Sequence, residues 1–360
     1  MALGNIVRKF HLWVGITCGL VASISGISGA MYVWQPELSA ALNPELLKMK
    51  NIDSLEEAVF LKTAASLTAT HSDSISKMFL PYREQQTISI EFKNGKINYY
   101  NSENGQFLGE RSASIVFFEN LLKFHRTLLI PEIGKYVTGT STIIFLLVIL
   151  LSGIYIWYKT YSATLKNGFK IKWKSKKKKF NFDLHKVLGI SFFIPLLTIA
   201  FTGAYFTYNS YYKKALSVLD SKTIFKQEIQ NSNPTSFAAI LSNSDKSYAL
   251  RAIYYPNDAN DNYRFRYIES RFKTQGLRKT KELTVSTNLK IISLTDYKND
   301  ATSNRVAAQF YPVHIGEIAG PFGRILVFIA GLIPITLYIT GFRIYLFKKR
   351  RKKKFLVDGN

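Results

Sequence analysis

The chain has 360 residues, of which 47% are hydrophobic, and it carries a formal net charge of +24. That length could hold about two ordinary domains, and so basic a chain would suit a nucleic-acid partner. The distribution of the charge argues against nucleic acid, because most of the excess lies in short runs beside apolar blocks, where membrane topology and anionic lipid account for it. Because Cys18 is the single cysteine, a disulfide framework is excluded.

Four apolar blocks are each long enough to cross a membrane. A hydrocarbon core needs about 20 apolar helical residues, and blocks of that length cover residues 12–34, 137–158, 187–208 and 322–347. The first block is longer than the apolar region of a signal peptide and has a close echo later in the chain, so we interpret it as a retained span. The sequence therefore predicts four transmembrane helices.

Lysine and arginine set the orientation predicted for these spans. They are concentrated in a short segment between spans two and three and in the C-terminal tail, and short loops rich in Lys and Arg stay in the cytoplasm. Both termini are therefore predicted to be cytoplasmic, and the two long segments are predicted to lie outside. The predicted boundaries are 1–35 (first span with the N-terminus), 36–124 (outer domain), 125–158 (second span), 159–186 (Lys-rich cytoplasmic loop), 187–208 (third span), 209–313 (second outer domain), 314–347 (fourth span) and 348–360 (basic tail).

Both outer segments have the patterns of small folded α+β domains. The elements predicted in the first are a helix over residues 55–67 with Asp53 and Ser54 as cap candidates, strands at 87–92 and 96–100 around a hairpin turn at Asn94-Gly95, and a second turn at Asn104-Gly105. The elements predicted in the second are a short helix over residues 236–241 and strands at 248–255, 263–268 and 283–287.

An internal repeat relates the two halves of the chain. Residues 10–16 (FHLWVGI) align with residues 184–190 (LHKVLGI), so that His11 falls on His185 and Gly15 falls on Gly189. The other equivalent positions are Ser28-Gly29-Ala30 with Thr202-Gly203-Ala204, His125 and Gly134 with His314 and Gly323, Ser152-Gly153 with Thr340-Gly341, and Trp157 with Tyr345. Each half is a span, an outer segment and a returning span, which predicts parallel repeats related by a pseudo-two-fold axis along the membrane normal.

Four of the five histidines stand at the ends of predicted spans. His11 and His185 begin spans one and three at the inner face, whereas His125 and His314 precede spans two and four at the outer face. The pseudo-two-fold axis would bring equivalent residues face to face, and two facing imidazoles suit a metal that needs two trans axial ligands. His71 lies elsewhere and is predicted to be a solvated surface residue.

Haem is the cofactor that this arrangement favours, because a porphyrin leaves two axial positions on its iron. Gly15 and Gly189 follow their histidines by about one helical turn, where a missing side chain would let a flat macrocycle approach. A non-haem metal is less suited, since the inner and outer pairs lie roughly 30 Å apart and no cluster of Cys, Asp or Glu supports either pair. For each histidine taken alone, the alternative is an amphipathic residue in the headgroup zone, and for each glycine it is helix packing.

Motifs in all four spans carry a family resemblance. They are FHLWVGI with SGISGAMYVW, FHRTLLIPEIGKYVTG leading into LLSGIYIWYK, LHKVLGI with FTGAYF, and VHIGEIAGPFGR leading into YITGFRIY. With these motifs the chain resembles the PepSY-associated transmembrane family of bacterial iron-regulated membrane proteins, which includes ferric-siderophore reductases. The segment 54–109 looks like a PepSY unit, with a helix followed by strands.

The resemblance implies a protein of the bacterial cytoplasmic membrane that holds two b-type haems per chain. It implies that His11 and His185 ligate an inner haem, and that His125 and His314 ligate an outer one. The implied activity is that of an oxidoreductase, which passes electrons outward to a ferric siderophore or another ferric chelate and releases ferrous iron. No glycine-rich dinucleotide loop follows a predicted strand, so the expected donor is a separate cytoplasmic reductase or a quinol.

Two other classes of protein stay open. One is a non-redox binding or regulatory protein whose outer domains recognise a partner, and the other is a siderophore permease with kinks at Pro195 and Pro334. Basic and aromatic residues in the second outer segment would suit an anionic iron chelate, although alternating strand positions explain them equally well. These residues are Tyr254, Tyr255, Arg264 and Arg266.

Overall fold

The computed structural model describes residues 2–220, 237, 240, 247–258, 261–272 and 275–357. These residues form two compact units. The membrane unit is helical and comprises Met1–Val33, Asn120–Tyr212 and Phe310–Asn360; the sheet unit comprises Trp34–Glu119 and Lys213–Gln309. Each unit is therefore assembled from both halves of the chain.

The elements of the described residues alternate between helical and strand regions. The helices are α1 (Ala2–Tyr32), α2 (Gln35–Leu42), α3 (Pro44–Leu47), α4 (Glu57–His71), α5 (Ala113–Thr127), α6 (Gly134–Ile144), α7 (Leu151–Tyr161), α8 (Leu165–Gly168), α9 (Lys177–Ser191), α10 (Phe193–Leu216), α11 (Thr302–Ala307), α12 (Phe310–His314) and α13 (Gly320–Val357). A π-helical segment, Phe145–Leu150, joins α6 to α7. The strands are β1 (Ile75–Phe79), β2 (Ile88–Phe92), β3 (Ile97–Tyr100), β4 (Phe107–Glu110), β5 (Ala249–Tyr254), β6 (Asn262–Ile268), β7 (Thr280–Ser286) and β8 (Ile291–Asp296).

The helices of the membrane unit account for the predicted spans. By length and apolar composition, three stretches of the described residues could each cross a membrane, namely Leu3–Tyr32, Gly134–Gly168 and Glu317–Arg350. The third predicted span is divided between α9 and α10, which meet at 61° and make a fourth span if the bent pair counts as one. The break falls at Phe192, three residues before Pro195, whose ring excludes the helical hydrogen bond to the carbonyl of Ser191. By contrast, α13 continues through Pro334.

Two glycines allow α1 and α13 to cross with their backbones in contact. A Cβ at Gly26 would lie 2.4 Å from the carbonyl oxygen of Gly331, and a Cβ at Gly331 would lie 2.8 Å from the carbonyl oxygen of Gly26. Any side chain at this crossing would push the helices apart. Small residues at such crossings are how membrane helices gain van der Waals contact, because burial from lipid supplies little driving force.

A single eight-stranded antiparallel sheet organises the sheet unit. Its order is β4-β3-β2-β1-β5-β6-β7-β8, so the strands of the first outer segment continue directly into those of the second. At the β1–β5 seam, Met78 opposes Ile253 and Lys77 opposes Tyr254. The sequence predicts two separate small domains, whereas the structure joins their strands in one sheet.

The pairing of β1 with β5 at the seam has a physical reason. Without it, β1 and β5 would each be an edge strand with a row of unpaired backbone N–H and C=O groups, which is unfavourable and promotes aggregation. Pairing the two edges satisfies those groups. The strand order is symmetric about the seam, with four strands from each outer segment on either side.

The two faces of the sheet differ in what covers them. On one face α4 packs through Phe60, Ala64 and Leu67 against a core that contains the fully buried side chains of Met78 and Ile253. The opposite face carries a smaller cluster over β3 and β4, formed by Ala40, Leu46, Leu47, Tyr99 and Ile115. Adjacent residues of one strand thus point to different cores, as the pleat of a strand requires.

Short-range predictions for the sheet unit agree with the structure in part. The five predicted strands lie within three residues of β2, β3, β5, β6 and β7, and Asn94-Gly95 forms the β2–β3 turn with Gly95 at φ +82°. Strands β1, β4 and β8 were not predicted. The cap candidates Asp53 and Ser54 lie in a separate 3₁₀ turn, and Glu56 precedes α4 without a side-chain cap. Of the predicted helix over residues 236–241, only Phe237 and Ile240 are among the described residues.

The helix crossing yields a testable prediction. Gly26→Ala should lower the midpoint of thermal unfolding of the detergent-solubilised protein by about 3 °C or more, because overpacking a close contact costs roughly 1–3 kcal/mol. Leu20→Ala, at an α1 position that is 43% exposed, is the matched control and should leave the midpoint nearly unchanged. Equal midpoints for the two variants would contradict the crossing.

Candidate functional site

Four of the five histidines form two pairs within the membrane unit. His11 on α1 and His185 on α9 have ring centroids 6.2 Å apart with an interplanar angle of 84°. His125 at the end of α5 and His314 at the end of α12 have centroids 6.3 Å apart and planes at 53°. The structure therefore brings together the same residues that the repeat equates.

Each histidine is anchored through its Nδ1 atom. For three of them an acceptor is a main-chain carbonyl: Ser25 O for His125 (2.8 Å), Leu337 O for His185 (3.0 Å) and Ile199 O for His314 (3.1 Å). A carbonyl can only accept, so Nδ1 must carry the proton, and a neutral ring then keeps a lone pair on Nε2. The Nδ1 of His11 lies 2.8 Å from Ser152 Oγ, whose own hydrogen is directed to the Ile149 carbonyl, so this hydroxyl also accepts.

Each ring also lies against a hydroxyl–glycine dipeptide of another helix. The dipeptides are Ser152-Gly153 for His11, Ser28-Gly29 for His125, Thr340-Gly341 for His185 and Thr202-Gly203 for His314. A Cβ on the glycine would lie 2.8 to 3.4 Å from the Cε1 atom of the ring in all four cases. The sequence repeat equates these dipeptides between halves but does not by itself indicate that they hold the imidazoles.

A matching turn carries each outer histidine. A Cβ at Gly134 would lie 2.1 Å from the Thr127 carbonyl, and a Cβ at Gly323 would lie 2.1 Å from the Gly316 carbonyl. Both carbonyls belong to the second residue after an outer histidine. The predicted segments 125–158 and 314–347 place these histidines with spans two and four, whereas the structure places them on the separate helices α5 and α12.

A cavity of about 500 Å³ opens beside the inner pair. Gly15 and Gly189 line it together with both histidines. A Cβ at Gly15 would have no atom within 4 Å, and one at Gly189 would meet only Leu337 at 4.0 Å, so side chains there would take up cavity space. Three cations also line it, namely Arg8, Lys186 and Lys348.

The pairs would suit a metal that is held by two imidazoles. In each pair the ring centroids lie 6.2 or 6.3 Å apart and Nδ1 is engaged by an acceptor, which leaves two neutral imidazoles available, and imidazole is a common ligand of haem iron. The cavity also falls within the usual volume range for cofactor sites, roughly 300–1,000 Å³. Among the described residues, no group of three or more His, Cys, Asp or Glu side chains is placed to hold a metal ion.

The two pairs are separate sites. His11 begins its span on α1, and His125 contacts Ser25 and Ser28 of the same helix. Because a helix rises 1.5 Å per residue, the pairs lie about 21–26 Å apart along α1.

The fifth histidine takes no part in either pair. His71 ends α4 in the sheet unit, where its ring packs against Phe92 at 5.5 Å and its Nε2 lies 3.4 Å from Tyr100 Oη. The side chain is half-buried, so it is more enclosed than the solvated surface residue that the sequence predicts. Its aromatic neighbours come from β2 and β3, which sequence spacing alone does not bring near α4.

The four acceptor candidates of the second outer segment do not share one site. Tyr254, Arg264 and Arg266 lie together on one face of the sheet, with both guanidinium groups near the Tyr254 ring. Tyr255 points to the opposite face, where it is buried and its hydroxyl lies 2.6 Å from Thr68 Oγ1. That burial raises the pKa of Tyr255 above its ordinary value.

Apolar spans with paired, hydrogen-bonded imidazoles define a helical membrane protein with a candidate cofactor site. The chain matches the family described as PepSY-associated TM region over residues 8–348, which is nearly its whole length. It therefore belongs to the PepSY-associated transmembrane family. No curated protein matches it significantly.

The anchoring of the four rings predicts their tautomers. In protein prepared without cofactor and labelled with ¹⁵N-histidine, the four paired residues should be Nδ1–H tautomers in mildly alkaline buffer, since their Nδ1 atoms face acceptors. Nitrogen chemical shifts from solid-state NMR measure this. His71→Gln removes the fifth histidine and should leave those four signals in place; predominant Nε2–H signals would contradict the assignment.

Proposed function

We propose that this protein is a di-haem transmembrane electron-transfer protein. It would reduce a ferric siderophore, or another ferric chelate, on the outer side of the bacterial cytoplasmic membrane. The observation that carries the proposal is the two histidine pairs, whose ring centroids lie 6.2 and 6.3 Å apart and whose Nδ1 atoms are all held by hydrogen bonds. Histidine ligands of metals donate their other ring N–H to such acceptors, which fixes the tautomer and the ring orientation.

Each histidine pair would hold one of the two cofactors. His11 and His185 would ligate the inner haem b, and His125 and His314 the outer one. When bound, each haem supplies an iron that accepts and donates one electron. Gly15 and Gly189 keep the cavity wall open to a flat ring, and the cations that line the cavity would neutralise carboxylates of the cofactor.

The membrane unit has an apolar core. Phe145, Leu150, Leu196, Ala200 and Ile333 form one buried cluster in it. An apolar surrounding strengthens the hydrogen bonds that hold the rings. It also sets the dielectric on which the reduction potential depends.

Charge distribution supports the direction of transfer. The Lys-rich segment 159–186 and the basic tail 348–360 would stay in the cytoplasm under the positive-inside rule, which puts His11 and His185 near the inner face. A cytoplasmic reductase or a quinol would lose one electron for each ferric chelate reduced outside. The product is a ferrous ion, which siderophores hold more weakly.

Cofactor content tests the ligand assignment. The protein purified in detergent from haem-replete cells should contain about two haem b per chain by oxidised and dithionite-reduced absorption spectra. His11→Ala and His185→Ala should each lose the same haem, and His125→Ala and His314→Ala the other one, because removal of either axial ligand opens the site. His71→Ala is the matched control and should keep both. Purified protein that contains no haem would contradict the reductase proposal and favour a binding or regulatory role.

Electron transfer across a membrane tests the reaction. In proteoliposomes with a reductant sealed on the cytoplasmic side, an external ferric chelate should yield ferrous iron, trapped by a ferrous-specific chelator. The double variant His125→Ala/His314→Ala should lower the rate at least about ten-fold, since the outer ligand pair is gone. Uptake of intact chelate without reductant would indicate the permease alternative instead.

A further inference from the structure

The seam of the eight-stranded sheet creates a second candidate site, which we call the seam face and define by Phe79, Arg251, Tyr254, Arg264 and Arg266. We propose that the seam face binds an anionic, oxygen-donor metal chelate that bears aromatic rings. The proposal rests on the proposed reductase function for the identity of the metal, and it deepens that function by naming the class of acceptor and the residues that hold it.

The seam face exists only because the two outer segments pair. Phe79 lies on β1, and Tyr254 lies on β5, with their rings 6.3 Å apart and nearly perpendicular. Tyr254 pairs in register with Arg264 of β6, so the two side chains share a face. The intervening residues Met78 and Ile253 point to the opposite, fully buried core.

Aromatic rings position the guanidinium groups of the seam face. The ring of Tyr254 has Arg264 at 4.8 Å and Arg266 at 5.1 Å from its centroid. Arg251 lies over Phe79 at 5.3 Å and over Tyr82 at 4.8 Å. A guanidinium stacked on a ring keeps its N–H groups at its edges, where they can recognise oxygen atoms. Those of Arg266 are already engaged by Glu282 and by the Tyr254 hydroxyl, so Arg251 and Arg264 are the groups that an anion would meet.

The charges of the seam face are not balanced. Arg266 is already paired with Glu282 at 2.9 Å. Arg251 donates to the Leu80 carbonyl at 2.6 Å, and within the described part of the chain neither Arg251 nor Arg264 has a carboxylate in salt-bridge contact.

The acids near these groups are engaged elsewhere. Asp261 feels the charge of Arg264, but its carboxylate accepts from the backbone N–H groups of Asn257 and Asn262. Glu91 on the same sheet face pairs with Lys77. An anionic ligand would therefore meet two guanidinium groups without displacing an existing ion pair.

The surroundings of Arg251 also favour the binding of an anionic ligand. Burial, with added repulsion from Arg271 and Arg278, lowers the pKa of Arg251 to about 10. A half-buried cation among other cations is stabilised when an anion approaches. The geometry of Phe79, Tyr82 and Arg251 leaves this positive group beside aromatic surface, which suits a ligand that combines negative oxygen atoms with flat rings.

A redox-inert probe separates binding from electron transfer. Gallium(III) tris-catecholate carries the charge of the ferric complex but is not reduced under these conditions, and its binding to the full-length holoprotein in detergent can be measured by calorimetry. Arg264→Gln should weaken binding about ten-fold or more, as expected for loss of a charge-assisted hydrogen bond, and Tyr254→Leu should weaken it because both guanidinium supports are lost. Higher salt should also weaken binding.

Lys290→Gln is the matched control. It removes a positive charge from an exposed residue in the turn between β7 and β8, and it should leave the affinity for the gallium complex unchanged. Arg264→Gln should keep the wild-type melting temperature, since the Arg264 side chain is exposed and forms no salt bridge with the described residues. Equal affinities of wild type, Arg264→Gln and Tyr254→Leu, or no binding to wild type, would overturn the proposal.

The two proposals fail in different ways. Haem content measured on the same preparations tests the reductase proposal independently of the gallium complex. Chelate binding that depends on Arg264 in a protein without haem would overturn the reductase proposal and leave the seam face as a binding site. Two haems per chain with binding that is indifferent to Arg264 and Tyr254 would overturn the seam face alone.

Discussion

The hydrogen bond from each paired histidine to a second helix is the interaction on which the membrane unit depends. His11 joins α1 to α7, His185 joins α9 to α13, His125 joins α5 to α1, and His314 joins α12 to α10. The same hydrogen bonds hold the imidazole rings and connect the helices, so the candidate site and the helix packing depend on the same contacts. In a low-dielectric surrounding an orphaned partner of such a bond is costly, which makes the arrangement stiff.

The two units differ in how far their halves resemble each other. In the membrane unit both halves contribute the same contact, an imidazole packed against a hydroxyl–glycine dipeptide. In the sheet unit the backbone order is symmetric, but the side chains at the seam are not, because the cations Arg251, Arg264 and Arg266 all come from the second half. A duplicated backbone thus presents two equivalent histidine pairs and, independently, one asymmetric surface of basic and aromatic side chains.

Local sequence patterns were sufficient to predict much of this structure. Apolar length predicted the spans, alternation predicted β2, β3 and β5–β7, and the repeat paired His11 with His185 and His125 with His314. It was insufficient where a contact joins distant segments. Strand β1 has no strong signal of its own and is defined by its pairing with β2 and β5, and Tyr254 and Tyr255 are adjacent in sequence but point to opposite faces of the sheet. The presence of proline likewise did not decide where a span bends, because the chain bends between α9 and α10 near Pro195 but stays helical through Pro334.

What the sequence by itself determined is the apolar spans of a membrane protein, the matching motifs of the two halves and the identity of the paired histidines. These follow from short-range periodicity and from identical residues at equivalent positions, which need no knowledge of the fold. Only the tertiary structure decided which atoms anchor the rings, that the outer segments share one sheet, and that aromatic and basic side chains meet at its seam. Those features depend on contacts between residues far apart in the chain, whose loop-closure cost and register are set by the whole fold and not by any local pattern.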